Sequence, residues 1–198
     1  MDYPELIAEV TERSGDSGVA IRAKLYLTLA EAALNKALRV AENETDTDLT
    51  TDADGEATLP TDYQATRMLM SGTWELVAGD WRDIKRRLLS NIVTPQTARG
   101  AYAIRGDKLV TTFADTDLTL YYYAALQPLD ETGTNWLIET DPEIYLYAML
   151  RQVFLAKLDA EKAMAAGTVL DSLIAAKRRS DMVARFGTKP FIAVGNVV

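Results

Sequence analysis

The chain contains no histidine and no cysteine among its 198 residues. Their absence excludes Ser-His-Asp and Cys-His nucleophilic sites, thiolate chemistry and nearly every zinc site. Catalysis by carboxylates alone survives, with or without Mg²⁺. Without cysteine there are no disulfides, which fits a reducing cytosol or assembly within it. No apolar run approaches the roughly 18 residues of a membrane span. The start, Met1-Asp2-Tyr3-Pro4-Glu5, lacks the basic-then-apolar pattern of a signal peptide, so none is expected. Positive charge is scarce at first: residues 1–60 hold 13 acidic and 5 basic side chains, residues 61–133 hold 9 and 8, and residues 134–198 hold 7 and 8. These balances of −8, −1 and +1 sum to the net −8. Such a chain is a poor non-specific binder of nucleic acid, because phosphate affinity comes mainly from Lys and Arg. It suits a surface that nucleic acid passes without sticking.

What remains is the composition of a folded soluble protein, 48% hydrophobic and 25% charged. The length makes one ample domain, or one with a small sub-domain. The organising stretch is 134–158. Thr140 or Asp141 offers an N-cap, Pro142 sits where a missing N–H is harmless, and Glu143 favours the positive helix end. From Ile144 to Leu150 every residue is apolar or aromatic. A surface helix wets one face; this one predicts cover on two. A second helix of the chain or a neighbouring subunit could supply it, and the subunit is preferred because few other helices are evident. Tyr145, Tyr147, Met149 and Leu150 are therefore the expected subunit interface.

Elsewhere helices are predicted over 4–13, 20–41, 80–89 and 160–184, besides 142–158, with a β region at about 46–125. In 20–41, Leu25, Leu29, Ala32 and Ala33 are set against Leu38 or Lys36 as opposite faces. Residues 42–56 carry seven carboxylates and no cation. An EF-hand frame would put Thr50 and Thr61 at its first and twelfth ligand positions, and both fail. A hairpin turning at Asp54-Gly55 is expected instead, with strands near 48–51 and 56–59. Residues 67–69 read as extended and 74–77 as a further strand. Asp80 caps the next helix, and Lys85-Arg86-Arg87 near its end reads as a solvated terminus. Strands follow over 101–105, 108–113 and 118–124, with Tyr121-Tyr122-Tyr123 alternating between faces. Arg105-Gly106-Asp107 spells a receptor-read tripeptide, but the turn alone demands Gly106-Asp107. Gly167 weakens the last helix or marks a close crossing. Over 185–198, Gly187, Pro190 and Gly195 exclude a helix, while Phe186, Phe191 and Ile192 are too apolar for a disordered tail. Either a strand folds back on the chain's own sheet, or an arm adds to another protein.

The run Thr134-Asn135-Trp136-Leu137, then Asp141-Pro142-Glu143-Ile144-Tyr145-Leu146-Tyr147-Ala148-Met149-Leu150, resembles the C-terminal signature of tailed-bacteriophage head-to-tail adaptor (connector) proteins. The similarity extends over most of the chain, through 55–63, 80–89, 102–109 and 120–123; Ala148 stands where that family usually has Gly. The resemblance implies an α+β, mainly α fold: a helical bundle with an inserted small antiparallel β sub-domain. A single adaptor domain would span 1–184, and 185–198 would form an extended C-terminal arm. It further implies a structural virion protein at the head-tail junction, made in the host cytoplasm. Subunits would form a ring, twelvefold in that family, on the portal protein. The ring would extend the DNA channel towards tail or stopper proteins, without specific DNA binding, cofactor, metal or membrane. Arg185, Phe186, Lys189, Pro190, Phe191 and Ile192 are the expected portal-docking residues of the arm. Two alternative functions are a tail-side completion or stopper protein, and a carboxylate-dependent cell-wall hydrolase, which would need two convergent acids.

Overall fold

Asp2 opens the first helix by a reciprocal cap. Its carboxylate accepts the Glu5 N–H at 2.9 Å while the Glu5 carboxylate accepts the Asp2 N–H at 2.9 Å, satisfying two amides that helix geometry leaves free. The computed structural model describes residues 1–89 and 100–186. Its helices are α1 (Tyr3–Ser14), α2 (Val19–Ala37), α3 (Trp81–Leu89), α4 (Leu129–Thr132), α5 (Trp136–Thr140), α6 (Pro142–Ala156) and α7 (Ala160–Phe186). The strands are β1 (Glu44–Thr50), β2 (Glu56–Thr58), β3 (Tyr63–Ser71), β4 (Trp74–Glu75), β5 (Val77–Ala78), β6 (Ala101–Arg105), β7 (Lys108–Thr111) and β8 (Asp117–Ala124). The fold is α+β, about 53% helix and 23% strand. The described residues form two compact units, one of residues 1–42 and 126–186, the other of Asn43–Ala125.

In the first unit α6 is the hub, packed against α1, α2, α5 and α7. Pro142 holds the first-turn position. Ile144, Tyr145, Leu146, Ala148, Met149, Leu150, Val153 and Phe154 are all buried, and each large apolar side chain contributes about 1.5–3 kcal/mol when fully buried. Both faces are indeed covered, but by the chain itself. The second cover is helical: α7 runs 27 residues and lies along α6. Gly167 is buried where α7 passes Arg151 of α6. The helix predicted over 20–41 stops at Ala37, because Leu38 turns extended (φ −89, ψ 113). That turn lets Leu38 and Val40 both bury.

The second unit holds two sheets, ordered β1-β8-β3-β4 and β2-β7-β6-β5. All pairings are antiparallel except β5 with β6. Leu69, Leu76, Leu109, Phe113, Leu118 and Leu120 form its core, and Ile84 of α3 packs with Ala103 and Val110. Asp80 caps α3 as expected, accepting the Arg82 N–H at 2.9 Å.

The hairpin expected at 48–59 is corrected. The chain does turn there, on an Asp52 carboxylate that accepts the Asp54 and Glu56 N–H groups at 3.0 and 2.8 Å. However, β1 pairs with β8 and β2 with β7, in different sheets. The separation starts at buried Thr51, whose hydroxyl donates to the Phe113 carbonyl at 3.0 Å and accepts the Thr116 N–H at 3.0 Å. The strand read over 74–77 is likewise split between the two sheets, because buried Leu76 interrupts it.

Candidate interaction site

The buried acid Glu31 is held by the chain's own core groups. It sits on the inner face of α2, 9% exposed. Its Oε1 accepts the Leu129 N–H at 2.9 Å and the Tyr145 hydroxyl at 3.2 Å. Asn135 completes the node: its amide donates to the Tyr145 oxygen at 2.7 Å and to the Gln127 carbonyl at 2.8 Å. Its own oxygen caps α5 by accepting the Leu137 and Ile138 N–H groups. Burial, then the Glu31 carboxylate, pushes the Tyr145 phenol above its ordinary value, against the lowering effect of Asn135. This is a core network that joins α2, α5 and α6, enclosed away from any substrate. Among the described residues no group of three or more acids is placed to hold a metal ion.

The expected subunit interface on α6 is mostly corrected. Tyr145, Met149 and Leu150 are 0%, 0% and 4% exposed, so the chain's own helices leave them no surface for a neighbour. Tyr147 is half-buried beside Arg13 of α1. The residues expected to dock on a portal fall into two sets. Arg185 and Phe186 are the last residues of α7, so the arm cannot start at 185. The Arg185 guanidinium pairs with Asp181 at 2.8 Å, while Phe186 is 56% exposed. Lys189, Pro190, Phe191 and Ile192 lie outside the described residues.

Cations near the end of α7 are partly held by the chain. Lys177 pairs with Glu42 at 2.8 Å and Asp141 at 2.9 Å, and lies 5.3 Å from the Trp136 ring centre. Burial acts to lower its ammonium, and the two carboxylates outweigh that and raise it. Arg178 donates to the Ala37 carbonyl, and Asp181 accepts the Ala41 N–H at 3.0 Å. The end of α7 is thereby laced to the segment after α2. Of the two expected α6 caps, Thr140 and Asp141, the cap position falls to Asp141, which makes no side-chain cap bond; its carboxylate serves Lys177 and Thr140 instead.

Arg105, in the receptor-like tripeptide, is stacked over Trp81 at 4.9 Å, with Arg82 at 5.5 Å from the same ring. Such cation–π contacts stabilise the packing of α3 on β6. The Lys85 ammonium pairs with Glu56 at 2.9 Å, so part of the basic triplet is structural.

Two surfaces remain that sequence reasoning missed. On α2, Ile21, Leu25 and Leu29 are 89%, 56% and 46% exposed. They lie four residues apart on one outward stripe, while Tyr26, Leu27, Ala30 and Leu34 face the core. Leu25 and Leu29 mark an apolar face in the sequence, and Glu31, the one acid of α2, stands on the opposite face, which the packing nevertheless turns inward. The second surface is the open face of the β1-β8-β3 sheet. There Glu44, Asp46 and Asp48 of β1 stand beside Tyr121 of β8 and Met68 of β3. A hollow of about 250 Å³ on this face is lined by Glu44, Thr45, Asp46, Arg67, Met68 and Tyr121, with Arg67 paired to Glu44 at 3.3 Å.

Against known proteins, a family model described as SU10 adaptor protein matches residues 1–188. No curated protein matches the chain.

Proposed function

The chain belongs to the SU10 adaptor protein family, a family of phage structural adaptors, and from that premise we propose that it is a head-to-tail adaptor subunit of the virion. In this role copies form a ring on the portal protein, twelvefold as in the connector proteins it resembles. The ring lengthens the DNA channel and presents a platform to tail or stopper proteins. The observation that carries the reading is the reach of the family match, which spans both compact units. The acidic balance of the chain supports it, since a conduit must not retain the DNA that passes. The exposed apolar stripe on α2 supports an assembling protein, because isolated chains rarely leave such rows in water.

Portal docking is assigned to Phe186 and the sequence after it, where Phe191 and Ile192 are apolar anchors beside Lys189 and Pro190. Pro190 narrows the backbone choices and so reduces the entropy lost on ordering. The test is to delete residues 187–198 and mix the protein with isolated portal complexes, measuring the mass of the product. The truncated chain keeps its melting transition and loses portal binding. Portal binding at full affinity by the truncated chain overturns the assignment, and a full-length chain that ignores portals overturns the adaptor reading.

A further inference from the structure

We infer that the outward stripe of α2 docks on the acidic open face of the β1-β8-β3 sheet of a second copy of this chain. The inference rests on the homo-oligomer part of the adaptor reading and names the surfaces that build it.

The stripe has two chemistries. Ile21, Leu25 and Leu29 supply the apolar row, and Arg22 and Lys36 stand exposed on the same side of the helix. The one acid in α2, Glu31, is buried on the opposite face. The outward face therefore carries cations, aliphatic side chains and Thr28 but no acid, in a chain of net charge −8.

The receiving face has the opposite character. β1 is an edge strand with three acids and no cation. Its register places Asp46 opposite Tyr121, which in turn faces Met68, and Asp48 opposite Thr119, which faces Met70. Asp46 thus borders an aromatic and apolar row, while the Asp48 carboxylate accepts the Thr119 hydroxyl at 3.0 Å. The hollow formed by Glu44, Asp46, Arg67, Met68 and Tyr121 has a floor for an aliphatic side chain; Arg67 already pairs with Glu44 at 3.3 Å, so Asp46, with Asp48 next along β1, is the rim acid that meets a cationic neighbour. Leucine or isoleucine from the stripe would fill the floor while Arg22 or Lys36 meets the rim. Charge complementarity of this kind selects the partner and fixes the register of docking.

A second copy is the occupant because one chain carries both halves of the match. The halves are different surfaces, so the contact is head-to-tail. Each added copy offers its unused half to the next, and such contacts close into rings when the rotation per copy permits.

The chain has no cysteine, which makes a clean cross-linking test possible. Leu25→Cys is placed in one preparation and Asp46→Cys in another; the two are mixed and oxidised, alone and on isolated portal complexes. The mixed dimer is the expected product in at least one condition, with neither homodimer matching it. In parallel, Arg22→Glu with Lys36→Glu in one chain, or Asp46→Lys with Asp48→Lys in another, each abolishes the higher-mass species, and mixing the two charge-reversed chains restores it. The melting transition of each variant is measured first; all four positions are exposed, so folding is expected to persist. Absence of the mixed dimer in both conditions overturns the inference, as does cross-linking of the α2 position to the portal instead. Portal binding without the mixed dimer leaves the adaptor reading standing; the mixed dimer without portal binding removes that reading and keeps the docking.

Discussion

The phenol of Tyr145 donates to the carboxylate of Glu31 at 3.2 Å, and both side chains lie inside the helical unit. The bond links α6 to α2, while Asn135 reaches the same phenol from the start of α5. Removing the hydroxyl leaves a buried carboxylate short of a donor and a buried amide short of an acceptor. Tyr145→Phe is expected to destabilise the protein by about 1–3 kcal/mol, because an unmade buried hydrogen bond costs more than a made one contributes. Urea unfolding measures it. A midpoint unchanged from wild type would show that the network contributes nothing net.

The same phenol makes stability sensitive to alkali. Tyr145 is raised above its ordinary value of 10.0 by burial and by Glu31. Tyr122 is raised to about 12 by burial and by its hydrogen bond to Asp62. Above pH 10 the unfolded chain releases these protons while the folded chain retains them. The folded state then binds more protons, so stability falls as pH rises. Their contribution is full below pH 10 and is lost through the folded-state values. The melting temperature should drop from about pH 10 upward, and less steeply in Tyr145→Phe. Identical slopes in the two proteins would assign the alkaline loss to other groups.

Gly55 and Gly167 should respond to alanine with opposite signs. Gly55 has φ +67, and an added Cβ would lie 2.8 Å from the Thr111 carbonyl oxygen. Left-handed backbone alone costs an L-residue about 1–2 kcal/mol, and the contact with backbone adds to it. At Gly167 the nearest atom to an added Cβ is Arg151 Nε at 3.5 Å, an ordinary contact. Gly167→Ala should therefore stabilise α7 by up to about 1 kcal/mol. Thermal melts of both variants decide the matter, and a loss at position 167 would show that α7 and α6 approach more closely than this.

Calcium should do nothing. The Asp52 carboxylate that an ion would need is bonded to the Asp54 and Glu56 amides. Millimolar calcium is expected to leave the melting temperature unchanged, whereas a saturable rise would reveal a ligand of the native state.

Local chemistry in the sequence was enough to locate most elements. Pro142 at the first turn of α6, Asp80 before α3, the Gly106-Asp107 turn and the alternating Tyr121-Tyr122-Tyr123 act within a few residues, so they can be read from a few residues. Three matters were decided only by tertiary structure. Alpha-helical periodicity sorts residues into faces but does not say which of two apolar faces is inward; in α2 the packing of Tyr26, Leu27 and Leu34 put Leu25 and Leu29 in water. An unbroken apolar helix demands two covers without naming them, and the length of α7 supplied the second to α6. Strands separated by five residues look like a hairpin, yet sheet pairing is settled by distant partners. Thr51 bonded to Phe113 and Thr116, 62 and 65 residues away, and sent β1 and β2 to different sheets.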